Sequence, residues 1–201
     1  SVVATITTVV PVSCLGDCNG SATVSGSGGT GAVYTFLWDA AALNQITGTA
    51  TGLCAGLYAV TVSDLNGCVG VTSVNITEPL TAINATVVVS SNFLGQDVSC
   101  NNAFDGTATA SAVGGTPGYT FLWSGTSASG QTTDTAVGLG AGTYCVTVSD
   151  ALGCPDSACV TLTEPAAVIP NVDTTINVLC FGDSTGSATV SAIGGTAPYS
   201  F

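Results

Sequence analysis

Nine cysteines, ten aspartates and two glutamates are the side chains of this chain with the greatest capacity for chemistry. The 201 residues contain no lysine, arginine or histidine, and the formal net charge is −12. A proton acceptor working near neutral pH is most often a histidine, or a lysine tuned by burial, and neither is present. Ser–His–Asp and Cys–His nucleophiles need the same missing imidazole. A Walker-type phosphate loop needs a lysine, and nucleic-acid affinity rests on cations that neutralise phosphates. Catalysis is thus left to carboxylates, of which a glycoside hydrolase needs a facing pair. The two glutamates, Glu78 and Glu164, each precede a proline in matching sequence, which reads as architecture. The expectation is a protein with no catalytic residue, no enzymatic activity and no nucleic-acid partner.

Asp17, Asp64, Asp105, Asp150 and Asp183 lie in stretches rich in Gly and Asn. Calcium takes about 6 to 8 oxygen ligands, so such loop carboxylates are weak calcium candidates. No Asp-x-Asp-x-Asp-Gly loop is present, and Asp or Asn before Gly is first of all a turn former. The cysteines include no Cys-x-x-Cys pair, which argues against a metal centre. No cofactor is expected.

The elements that position these residues come from an internal repeat. Val12-Ser13-Cys14 recurs as Val98-Ser99-Cys100 and Val178-Leu179-Cys180, at offsets of 86 and 80. Gly28-Gly29-Thr30 recurs as Gly114-Gly115-Thr116 and Gly194-Gly195-Thr196. Tyr34-Thr35-Phe36-Leu37-Trp38 matches Tyr119-Thr120-Phe121-Leu122-Trp123, and Val62-Ser63-Asp64 through Gly67-Cys68 matches Val148-Ser149-Asp150 through Gly153-Cys154. Thr77-Glu78-Pro79 and Thr163-Glu164-Pro165 close the units, giving repeats at 1–79 and 80–165 and an incomplete third at 166–201. The chain is expected to be a window on a longer one, or a subunit whose third repeat a neighbour completes.

The local pattern is β. Tyr58, Val60 and Val62 alternate with polar or small residues, as do Ala22 and Val24, and glycines punctuate the runs. Hydrophobic residues make up 46% and mean hydropathy is +0.57, enough apolar material for a packed core. No apolar run reaches the ~18 residues of a membrane helix. Some seven short strands per repeat predict an all-β chain of tandem immunoglobulin-like β-sandwich repeats, arranged as beads on a string. Trp38 and Trp123 are expected in the core, on a central strand.

A Cys–Gly–Asp-type opening, Gly-Gly-Thr-x-Pro-Tyr (194–199), Ala-Gly-x-Tyr-x-Val-Thr-Val-x-Asp (55–64 and 141–150), Asn-Gly-Cys (66–68) and the closing Thr-Glu-Pro resemble the SprB-type repeat. That family occurs in large cell-surface adhesins of gliding bacteria of the Bacteroidetes group. The resemblance implies an extracellular, cell-surface location, where disulfides form. The aligned repeats then sort the cysteines: Cys14 and Cys68 have counterparts in Cys100 and Cys154, whereas Cys18, Cys54, Cys145 and Cys159 are private to one repeat. Cys145–Cys159 flank a turn symmetrically, as cross-strand neighbours would. Cys18–Cys54 follows by exclusion. Cys14–Cys68 and Cys100–Cys154 follow from co-occurrence, although an immunoglobulin-like sandwich puts Cys14 and Cys68 at opposite poles. Bonding between repeats, as in Cys14–Cys154, is the alternative. Cys180 remains unpaired.

Modification is a further expectation. Asp134-Thr135-Ala136, Asp156-Ser157-Ala158, Asp173-Thr174-Thr175 and Asp183-Ser184-Thr185 resemble the Asp-Ser/Thr-small O-glycosylation motif of Bacteroidetes. Composition alone yields about one such match. Thr135, Ser157, Thr174 and Ser184 are therefore candidate sites, with Asn19, Asn75 and Asn84 as N-linked sequons. A surface of Ser, Thr, Gly and Ala with few charges is adhesive unless sugar-coated or packed on copies of itself. The sequence points to a structural, adhesive stalk or filament, glycosylated, with copies of itself or further repeats as partners. The alternative is a carbohydrate-binding module, for which loop residues Phe93, Phe104 and Phe181 are the free aromatics.

Overall fold

The computed structural model describes residues 1–31 and 33–201. The first repeat forms β1 (Val2–Val10), β2 (Gly20–Gly28), β3 (Tyr34–Trp38), β4 (Thr49–Leu53), β5 (Gly56–Asp64) and β6 (Val69–Ile76). The second repeat forms β7 (Asn84–Val89), β8 (Gly106–Val113), β9 (Thr120–Ser124), β10 (Thr135–Leu139), β11 (Gly142–Ser149) and β12 (Pro155–Leu162). The third contributes β13 (Ile169–Ile176) and β14 (Ser187–Ile193), an antiparallel pair. One short 3-10 turn at Ala40–Ala42 is the sole helical element among the described residues.

Strand order is β1-β2-β4 in one sheet and β3-β5-β6 in the other, and it recurs as β7-β8-β10 and β9-β11-β12. These are the A-B-E and C-F-G orders of an immunoglobulin-like sandwich, so the chain is all-β and built of tandem immunoglobulin-like repeats. Among the described residues each complete repeat has six strands rather than the expected seven, with no fourth strand beyond β4 or β10. An amide fills that place. Gln45 Nε2 donates to Thr51 O at 3.0 Å, and Thr51 N donates to Gln45 Oε1 at 3.1 Å. Gln131 treats Val137 identically, at 2.9 and 3.0 Å. The side chain thus makes the pair of bonds that a neighbouring strand would make, and it covers an edge that would otherwise invite pairing.

By packing, the chain divides into two compact units. One is Ser1–Asn84 with Val113–Tyr119 and Ser149–Pro155, and the other is Ala85–Ala112, Thr120–Val148 and Asp156–Phe201. The core of the first follows the alternation in the sequence: Ala22 and Val24 from β2, Trp38 from β3, Tyr58, Val60 and Val62 from β5, and Val74 and Ile76 from β6. The second buries Ala108, Ala110, Trp123, Leu139, Tyr144, Val146 and Leu162 in the same roles. Both indoles are fully enclosed and satisfied, donating to Thr47 O at 3.0 Å and Thr133 O at 2.9 Å. They sit on β3 and β9, which are edge strands and not the central strands expected, since β5 and β11 take the middle of each three-stranded sheet. Tyr58 and Tyr144 each reach back four residues to a carbonyl, Cys54 O at 3.0 Å and Gly140 O at 3.1 Å, the tyrosine corner of this fold.

Candidate functional site

Most of the residues singled out for chemistry lie in loops, with Cys145 and Cys159 on β11 and β12 the exceptions among the paired cysteines. The opening loop follows the first strand of each repeat. Ser13 N donates to Asn19 Oδ1 at 3.0 Å, and Ser99 N to Asp105 Oδ1 at 3.0 Å, so one side chain braces the same loop twice. The Ser99 hydroxyl and amide together hold the Asp105 carboxyl below its ordinary value. The glutamate of each Glu-Pro caps this loop: Gly16 N donates to Glu78 Oε2 at 2.8 Å, and Asn102 N to Glu164 Oε2 at 2.7 Å. Both glutamates therefore act as acceptors for backbone, and they lie 86 residues apart in sequence, in equivalent loops of successive repeats.

The closing turn follows β5 and β11. Asp64 is buried there; its Oδ2 accepts from Thr30 N at 3.0 Å and its Oδ1 from Asn66 N at 3.0 Å and Cys68 N at 2.9 Å. Asp150 repeats the pattern with Thr116 N at 2.8 Å, Leu152 N at 2.9 Å and Cys154 N at 2.9 Å. Donation by the threonine amide, followed by the amides of the turn, lowers both carboxyls from the usual aspartate value against the opposing effect of burial. Gly29 and Gly115 have positive φ (69° and 59°), and a Cβ at either would lie 2.6 Å from the aspartate oxygen. Glycine is what lets the Gly-Gly-Thr loop close over the carboxylate.

Of the calcium candidates, Asp64, Asp105 and Asp150 thus spend their oxygens on backbone amides, while Asp17 and Asp183 are exposed, their own N–H groups bonded to Cys14 O and Cys180 O. Among the described residues no three of His, Cys, Asp and Glu come together as a group that could hold a metal ion.

Three disulfides are formed. Cys145 and Cys159 join adjacent strands β11 and β12, with Cα atoms 4.0 Å apart. Their counterparts in the first repeat, Ala59 and Ser73, are register partners on β5 and β6. Cys18–Cys54 ties the opening loop to the β4–β5 corner. The second repeat has Phe104 and Gly140 at those positions, and the ring lies where a Cβ on Gly140 would come within 2.9 Å. An aromatic contact replaces the bridge.

The third disulfide corrects the expected pairing. Cys14 bonds Cys154, 140 residues away, and neither Cys14–Cys68 nor Cys100–Cys154 forms. Cys14 lies in the loop beside the end of β6, where Val12 N donates to Thr77 O and Glu78 caps Gly16. Cys68 lies at the start of β6. Eight residues of extended strand, about 26 Å, separate the two poles, far beyond disulfide reach. The bridge therefore joins the opening loop of one repeat to the closing turn of the next, all within the first compact unit. Cys68, Cys100 and Cys180 are free and exposed.

The glycosylation candidates are spread over the surface. Ser157, Thr174, Ser184, Asn19, Asn75 and Asn84 are exposed, whereas Thr135 is half-buried, its hydroxyl 3.2 Å from Thr109 Oγ1. Of the loop aromatics, Phe93 is half-buried and Phe104 covers Gly140, leaving Phe181 fully exposed. The bracing glutamates bear out their reading as architecture, and Gln45 with Gln131 are the working residues that motif reading overlooks. Their signal was the recurrence of each at equivalent repeat positions.

A family model, the SprB repeat, matches residues 6–43, 96–128 and 172–201. No curated protein matches the chain. Among solved structures, it is similar to the C-terminal 282-residue fragment of intimin bound to the intimin-binding domain of the translocated intimin receptor, at 14% identity, covering 83% of this chain and 67% of that one, with TM-score 0.41. It is similar to murine CEACAM1b at 14% identity, covering 82% and 100%, with TM-score 0.30. A tetra-tandem repeat from the extending region of a large adhesion protein matches at 17% identity, covering 96% and 62%, with TM-score 0.26. Superposition this loose assigns no partner to this chain.

Proposed function

The chain belongs to the SprB repeat family, and on that premise we propose that it is a length of glycosylated, adhesive stalk or filament at a cell surface. The repeat family and the disulfides support an extracellular adhesive repeat protein with a non-enzymatic role. No helix among the described residues is long and apolar enough to cross a membrane. The observation that carries the stalk reading is the Cys14–Cys154 bridge, which fastens successive repeats covalently. A protein whose work is length and surface has use for such a fastening. In this reading 1–79, 80–165 and 166–201 are successive modules, and function lies in their spacing and in the Ser/Thr surface they present.

The test is the intact mass of the unreduced protein taken from its native surface, with a peptide map for attachment points. An excess over 19.5 kDa in sugar-sized steps at Ser157, Thr174 or Ser184 supports the coated stalk. A polypeptide of unmodified Ser, Thr and Asn overturns the glycan. A carbohydrate-binding module is the second reading, favoured by the full exposure of Phe181. Loss of glycan-array binding in Phe181→Ala would select it.

A further inference from the structure

Cys100 is the second repeat's counterpart of Cys14, and its thiol is free. With Ser99, Asn101, Ala166, Gly195 and Thr196 it lines a cavity of 380 Å³. At the preceding step between repeats, the equivalent place is filled. There Cys14 is bonded to Cys154, in the turn whose Asp150 accepts from Thr116 N–H. Thr116 ends the Gly114-Gly115-Thr116 loop as Thr196 ends Gly194-Gly195-Thr196. The two loops share one backbone geometry, with φ of 76° and 59° in the first and 78° and 59° in the second. Gly115 N donates to Thr81 O at 3.0 Å, and Gly195 N to Ala166 O at 2.7 Å. What differs is the carboxylate. Thr30 N has Asp64 and Thr116 N has Asp150, while exposed Thr196 meets no carboxylate among the described residues.

We propose that Cys100 and the Gly194–Thr196 loop are a covalent docking site for an Asp-x-x-Gly-Cys turn, the closing turn of the repeat that β13 and β14 begin. The occupant follows from the two filled cases. In each complete repeat, turn and Gly-Gly-Thr loop come from the same repeat, so the turn that fits Thr196 is the third repeat's own. Its aspartate takes the Thr196 N–H, and its cysteine is thereby placed against Cys100. The Cys100 thiol and the turn's thiol then lose two protons and two electrons to a small-molecule disulfide, which is reduced to two thiols as the new S–S bond forms. The rule is translational: the opening-loop cysteine of each repeat bonds the closing-turn cysteine of the next.

The test uses the intact chain and a peptide of residues 148–156, its cysteine presented as a mixed disulfide with a small thiol. Attack by Cys100 on the peptide sulfur breaks that bond, releases the small thiol and leaves the peptide on the protein. Cys180, an opening-loop cysteine that is likewise exposed and has no Gly-Gly-Thr loop against it among the described residues, is the internal control. Peptide mapping is expected to find Cys100 loaded several-fold faster than Cys180. Replacing the peptide's aspartate by alanine, or Thr196→Pro in the protein, is expected to erase the difference. Equal loading of the two cysteines, or a preference unmoved by both changes, overturns the proposal. The outcome does not depend on whether the chain carries sugars.

Discussion

Asp64 and Asp150 concentrate much of the loop order of this protein in two carboxylates. Each is ionised in the fold and held below its ordinary pKa by amides of the Gly-Gly-Thr loop and of its own turn. A group whose folded pKa lies below its unfolded value stabilises the fold above the unfolded pKa, and that contribution fades as pH falls through the folded one. Asp64→Asn is therefore expected to lower the urea midpoint more at pH 7 than at an acid pH, where protonation of the native aspartate begins to remove its advantage. Equal losses at both pH values would show that the carboxylate acts through packing alone. The turn-forming nature of these aspartates is legible in the sequence, since each stands shortly before a Gly-Cys. Their partners are not. Thr30 lies 34 residues from Asp64, and only the closed sandwich brings the two together. A loop carboxylate and a calcium ligand look alike until the amides that already occupy its oxygens are known.

Six strands per repeat were foreshadowed by alternation, because each strand buries one face and shows the other to solvent. The missing seventh was not, because the element that replaces it is one side chain. Gln45→Ala removes that replacement strand. The expected cost is about 1 kcal/mol, since water satisfies part of the freed edge, read as a lower denaturation midpoint of the first repeat. An unchanged midpoint would mean that the edge needs no cover. The Cys145–Cys159 hairpin bridge closes a short loop with a sequence separation of 14. Its double replacement by serine is expected to cost about 3 kcal/mol through freedom regained by the unfolded chain. Symmetry about the turn made this pairing readable, and the register of Ala59 with Ser73 shows why: the fold already holds these positions side by side.

Across the whole molecule, the repeats and their order are legible in the sequence, whereas the Cys14–Cys154 bond between repeats is legible there only as the alternative to pairing within a repeat. Co-occurrence shows that Cys14 and Cys68 belong to the repeat plan, but it is blind to which copy each one faces. Distance decides, and β6 holds the two poles of one repeat apart. Cys14→Ser is expected to cost about 5 kcal/mol by the loop-closure estimate for a bridge of this span; a loss below 1 kcal/mol in calorimetry would show that the repeats are fixed by other contacts. The bridge also decides where tension goes. When the chain is pulled from its two ends, the load passes from Cys14 across the sulfurs to Cys154, and the 140-residue stretch between them is spared. At about 3.3–3.6 Å per residue, some 480 Å of slack stays locked. A reductant would release it, so single-molecule extension should lengthen by about that amount when dithiothreitol is added. If the chain serves as the proposed stalk, the oxidation state of one cysteine pair sets how far it stretches before it fails.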